Sequence, residues 1–169
     1  MTKLEIKLIR HGEKKLFSPD PELTALGISQ AEKLAQVLIK QEQSAKAKRL
    51  ILSSPQKRTF QTANILAKEL GLTVQVDDFL NIDNILSNTL TNKTKIIEHF
   101  QKYLNTINDD AIELLEILAL THSQNIKNYW RILDGPEKAI KDVYECGIWT
   151  IVVDGEKINF VWTEGDLNP

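Results

Sequence analysis

The chain has 169 residues, 42% of them apolar and 26% charged, with a formal net charge of −2. These proportions fit one soluble globular domain, 1–169, with a sizeable core, and the near-neutral charge gives no reason to expect a nucleic-acid or membrane partner. Cys146 is the single cysteine, which excludes an internal disulfide and a cysteine-based metal cluster. The first nine residues are too few and too charged for a secretory signal, and no apolar run approaches transmembrane length, so a reducing cytoplasm is the expected setting.

Leu4 to Ile9 alternates apolar and charged residues and reads as a first strand. Residues 10–22 follow as a loop marked by Ser18, Pro19, Asp20 and Pro21. From Thr24, a plausible N-cap, the spacing turns helical, with Leu26, Ala31, Leu34, Ala35 and Leu38 on one face. Arg49 to Ser53 suits a buried strand, and Pro55 opens a second helix that Leu70 and Gly71 close. Thr73 to Val76 is a third strand. Residues 81–94 are polar and asparagine-rich, an excursion that borders the pocket expected below. A helix from Lys93 to Leu104 follows, with Ile96, Ile97, Phe100 and Leu104 as its buried stripe. Glu116 to Thr121 reads as a buried strand, and Ser123 to Leu133 as a helix ended by Gly135 and Pro136. Two alternating strands, near Tyr144 to Val153 and Lys157 to Trp162, flank Asp154-Gly155, a strong two-residue hairpin signal. Strands and helices in alternation, closed by a hairpin, predict an α/β fold: a three-layer α/β/α sandwich with a largely parallel central sheet.

Three polar groups fall just past predicted strand ends. They are Arg10-His11-Gly12-Glu13, then Ser53-Ser54-Pro55 with Arg58, then Thr121-His122-Ser123. Parallel strands bring their C-terminal ends to one edge of the sheet, where ligands of such sheets bind. Two histidines and two arginines are therefore expected to converge there. Read singly, the motifs are ordinary: a glycine-relaxed turn at Arg10-His11-Gly12, a buried histidine at His122, helix packing at Gln61, Thr62 and Ala63, and a helix cap at Thr24. His99, among Glu98, Gln101 and Lys102, reads as a solvated helix-face residue. Cys146, Trp130, Trp149 and Trp162 read as packing, and Lys14, Lys15 and Lys57 as exposed charges, although Lys14 and Lys57 could line a phosphate entrance.

Taken in register, the segments Leu8-Ile9-Arg10-His11-Gly12-Glu13, Leu23-Thr24-Ala25-Leu26-Gly27 with Gln30-Ala31, Ser53 through Ala63, and His122 after a buried strand resemble the histidine phosphatase superfamily. That superfamily includes phosphoglycerate mutases and the small SixA-type phosphohistidine phosphatases. The resemblance implies that His11 is the nucleophile that becomes phosphorylated, and that Arg10, Arg58 and His122 bind the phosphoryl oxygens. Gly12, Glu13, Thr24 and Ser123 are the candidate substrate-binding residues around them. Guanidinium forks suit the charge that spreads over a phosphoryl group in transfer, and a neutral imidazole is a good nucleophile near pH 7. The chemistry therefore calls for no metal and no cofactor.

One part of the pattern departs. Many superfamily members place a proton-donating glutamate after the third strand, and alignment on Leu80 puts Ile82 there. Asp83 is the nearest stand-in, with Asp77, Asp78 and Glu13 further alternatives; a solvated loop aspartate is its plainer reading. Without an acid the leaving group must depart unaided, which favours imidazole from a phosphohistidine over an alcohol. The expected partner is a phosphohistidine protein or a phosphorylated small molecule. The competing reading is a phospholigand-binding scaffold of the same fold with weak turnover; a mutase is a lesser alternative, since mutases of this superfamily are generally longer and need extra residues to hold the intermediate against water.

Overall fold

The computed structural model describes residues 2–41, 45–82, 93–107, 111–134, 142–155 and 157–163. β1 (Lys3–Arg10), α1 (Ala25–Lys40), β2 (Ala47–Ser53), α2 (Lys57–Leu70) and β3 (Val74–Val76) form the first half. α3 (Lys93–Gln101), β4 (Leu114–Thr121), α4 (Ser123–Asp134), β5 (Ile148–Asp154) and β6 (Lys157–Thr163) form the second. Among the described residues, no helix is long and apolar enough to cross a membrane.

The strands make one sheet in the order β3-β2-β4-β1-β5-β6. β3, β2, β4 and β1 are mutually parallel, while β5 runs antiparallel to β1 and β6 returns antiparallel to β5. Gly155, at φ 59°, takes the left-handed turn position between the last two strands. The alternation of β1 and β4 sends side chains to both faces. Leu4, Ile6, Leu8, Ile117 and Ala119 meet Ile96, Phe100, Ile126 and Tyr129 of α3 and α4. On the other face, Ile9, Ile51, Leu118 and Leu120 meet Ala31, Leu34, Leu38 and Leu66 of α1 and α2. This is the expected three-layer sandwich. The second face carries charge toward the strand starts, where Lys7 and Arg49 both pair with the buried Glu116.

Several local expectations change. Leu26 is 45% exposed; the inward place at the start of α1 goes to Gly27. That place admits no larger residue: a Cβ on Gly27 would lie 2.1 Å from the Glu13 carbonyl oxygen, and one on Gly12 would lie 2.4 Å from that of Gly27. α3 ends at Gln101 and the chain tightens into a 3₁₀ turn, Leu104–Thr106, leaving Leu104 half-buried rather than on a continuous stripe. β5 begins at Ile148, not near Tyr144. Residues 144–147 form a turn, with the Gly147 N–H donating to the Tyr144 carbonyl at 3.1 Å and Cys146 at φ 57°. His99 is not a solvated residue: its ring stacks on Phe79 with centroids 3.7 Å apart and pairs with Asp77.

Candidate active site

β2, β4 and β1 are neighbours, so their C-terminal ends lie side by side. Two backbone bonds join them: His11 N–H donates to the Thr121 carbonyl at 3.2 Å, and Ser54 N–H to that of Leu120 at 3.0 Å. This edge holds His11 after β1, Ser54 after β2 and His122 after β4, and the first turn of α2 adds Arg58. All four are buried.

Their hydrogen bonds define a chain. His11 Nδ1 lies 2.7 Å from the Gly12 carbonyl oxygen, so Nδ1 carries the proton and Nε2 keeps its lone pair. Arg58 Nε–H donates to that Nε2 at 3.1 Å. Arg58 Nη2 lies 3.1 Å from His122 Nδ1. A guanidinium only donates, so His122 Nδ1 accepts and its Nε2–H donates to Ser54 Oγ, 3.0 Å away. The two imidazole rings stand edge to face with centroids 5.4 Å apart.

Burial, with the charges of Arg58, Arg10 and Lys14 adding to it, lowers the His11 pKa to about 4; a bond to the Gly12 carbonyl opposes the shift. Burial, then Arg58 and His11, lowers that of His122 to about 3. Both rings are therefore neutral near pH 7. In the unfolded chain they titrate near 6.5, so as pH falls the unfolded state takes up protons first. Their contribution to stability is complete above about pH 6.5 and declines as pH falls through the folded-state values. NMR titration of the three histidines is expected to leave two rings neutral down to about pH 4. Either of these two titrating near 6.5 would contradict the buried geometry.

The residues of α2 that read as packing tie the first loop to the site. Thr62 Oγ1 accepts from the Gly12 N–H at 3.2 Å and donates to the Arg58 carbonyl at 2.8 Å. Gln61 Oε1 accepts from the Leu23 N–H and Gln30 Oε1 from that of Glu13, each at 2.8 Å. Thr24 caps α1 by accepting from the Gly27 N–H, and its hydroxyl donates to Glu13 Oε1 at 2.7 Å. Glu13 and Thr24 are thus engaged with each other. Ser123, the first residue of α4, is half-buried beside His122.

Arg10 stands apart from the hydrogen-bonded trio. Its Nη1 donates to the Val143 carbonyl and its Nη2 pairs with Glu145 Oε1 at 2.6 Å. Sequence reasoning missed Glu145. The signal was topological: a strand antiparallel to β1 must begin where β1 ends, so the residues leading into β5 reach this edge.

Asp83 lies outside the described residues. Asp77 does not fit the part of a proton donor. It accepts from His99 Nε2 and from the Tyr103 hydroxyl, each at 2.7 Å, and from the Phe79 N–H at 3.0 Å. Burial alone would raise its pKa, but the bonds from His99 and Tyr103 prevail and lower it to about 2, so the group stays ionised. Asp78 is exposed and Ile82 half-buried.

Two neutral imidazoles bridged by one guanidinium thus lie at the C-terminal ends of the parallel strands of this α/β fold. The sequence model of the histidine phosphatase superfamily (branch 1) matches residues 6–110, and this chain belongs to that superfamily. No curated protein matches it in sequence. Among solved structures, the protein histidine phosphatase SixA complexed with tungstate is similar, with a TM-score of 0.70 at 17% identity, over 95% of this chain and 96% of that one. A phosphoglycerate mutase from Bacillus anthracis str. Sterne gives 0.69 at 15% identity, over 98% and 94%. A mycobacterial glucosyl-3-phosphoglycerate phosphatase in complex with VO3 gives 0.66 at 16%, over 95% and 99%. At these identities the likeness is one of fold.

Proposed function

We propose that this chain is a metal-independent phosphatase that forms a phosphohistidine at His11 and acts on a phosphohistidine protein or a small phosphomonoester. The observation that carries the reading is Arg58 donating to both imidazoles at 3.1 Å. An oxyanion entering between the rings would take those same two donors, and the freed His11 Nε2 lone pair would then face phosphorus. Arg10 and Arg58 offset the charge on the equatorial oxygens, the role that other phosphatases give to metal ions. His122 would contribute an N–H to the same oxygens; the Ser54 hydroxyl, able to donate or accept, lets that ring exchange its proton between nitrogens. Attack by His11 breaks the bond from phosphorus to the leaving group, and water then attacks phosphorus and returns the imidazole. A cytoplasmic setting accords with this reading.

The substrate preference follows from the proton donor. Asp77 is ionised and held by His99 and Tyr103, and Ile82 occupies the aligned position. A general acid is worth about 10²–10⁴ in rate, so a site working without one favours leaving groups that need no proton from the protein: a weakly basic phenolate, or an imidazole already protonated on its other nitrogen. Turnover of 4-nitrophenyl phosphate and of a phosphohistidine peptide is expected to exceed that of an alkyl phosphate by about 10²-fold or more in kcat/KM. Equal turnover of alkyl and aryl esters would contradict this preference. The lack of an aligned acid also favours a second reading, the phospholigand-binding scaffold. Phosphate-competable binding with no turnover of any of the three substrates would support it.

A further inference from the structure

We infer that Glu145 is a positioning residue that holds the Arg10 guanidinium in the attitude in which it meets a phosphoryl oxygen. The inference rests on the phosphatase reading above and names a group which that reading does not use. β5 is antiparallel to β1, so the segment leading into it lies against the end of β1. There the Cys146 N–H donates to the Arg10 carbonyl at 3.0 Å and the Arg10 N–H to that of Gly147 at 3.3 Å. Cys146 is fully buried at φ 57°, a conformation that a residue with a Cβ keeps only where its surroundings impose it. The turn is therefore a fixed support.

From this support two acceptors reach the guanidinium: the carbonyl of buried Val143 on Nη1 and Glu145 Oε1 on Nη2. Holding both terminal nitrogens sets the plane of a rigid group. Of the N–H groups left over, the one on Nε is buried and has no hydrogen-bond partner among the described residues. A buried donor left unpaired is costly, and such donors mark places where an acceptor arrives. Glu145 grips the terminal nitrogen and leaves Nε free, so it orients Arg10 rather than competing for the site.

The test measures orthovanadate affinity by calorimetry, with kcat and KM for 4-nitrophenyl phosphate, in wild type, Glu145→Ala, Glu145→Gln, Arg10→Ala and the double variants Arg10→Ala/Glu145→Ala and Arg10→Ala/Glu145→Gln. Misplacing a positioned group costs roughly 10- to 100-fold. Glu145→Ala is expected to weaken vanadate binding about tenfold, with Glu145→Gln, which keeps an acceptor oxygen, losing less. In the Arg10→Ala background the same change is expected to do nothing further. Unchanged or tighter vanadate binding in Glu145→Ala, or an equal loss with and without Arg10, would overturn the inference. Should Glu145→Ala fail to fold, the cycle with Glu145→Gln decides by the same criterion. Turnover undiminished in His11→Ala, or no vanadate binding by wild type, would defeat the phosphatase reading itself.

Discussion

Replacing His11 with alanine is expected to lower turnover of 4-nitrophenyl phosphate by about 10⁴-fold or more, while leaving the fold intact. The effect is large because no neighbour can take over. Among the hydrogen-bonded groups at this edge, the His122 ring is the other neutral imidazole, but in the proposed reaction it donates an N–H to the phosphoryl oxygens, so its site-facing nitrogen offers no lone pair. Arg58 holds no lone pair to offer. The His11 ring is itself fixed by its Nδ1 bond to the Gly12 carbonyl, which aims Nε2 at the space shared with Arg58. Loss of the ring therefore removes an aligned lone pair, not merely a contact. The measurement is steady-state kcat/KM of the variant, with circular dichroism to verify folding. Retention of a tenth or more of the activity would place the nucleophile elsewhere.

Arg58→Ala is expected to reduce kcat by about 10³-fold, the scale of removing an aligned oxyanion donor. This side chain joins His11 and His122 through two different nitrogens, and it is 8% exposed, so water does not screen it well. Arg58→Lys is expected to recover little, because one ammonium lacks the planar fork that spans both rings. The substitution has a second signature. Burial is the largest cause of the low His11 pKa and the Arg58 charge assists it, so removing that charge moves the His11 titration upward toward 6.5 while burial still holds it below. A variant with unchanged kcat and unchanged His11 titration would show that Arg58 is only a packing residue.

Much of this arrangement was legible in the sequence because it depends on few long-range facts. Apolar runs marked β1, β2 and β4, and parallel topology alone brings Arg10-His11, Ser54 and His122 to one edge. The helix signals at Thr24 and Gly71 were local, and both act as caps: Thr24 accepts from Gly27, and Gly71 takes φ 67°. What failed depended on partners from distant elements. The neighbours of His99 along its helix are polar, yet its surroundings are Asp77 and Phe79 from the turn after β3. Tyr144, Cys146 and Ile148 continue the period-two pattern of β5, but Cys146 turns to positive φ so that its N–H can reach the Arg10 carbonyl. Leu26 fits the helical stripe by spacing, but the close approach of Gly12 and Glu13 to Gly27 turns the helix so that glycine faces inward. Glu145 had no local signature at all, since an acidic residue before a strand is ordinary until the strand's direction is known.

The central claim is tested most directly by quenching the wild-type protein during turnover and mapping the phosphate by mass spectrometry under basic conditions. The account expects a single acid-labile, base-stable phosphate on His11, absent from His11→Ala. Phosphate recovered on a serine or on His122, or a trapped phosphate that is labile in base as an aspartyl phosphate is, would contradict it.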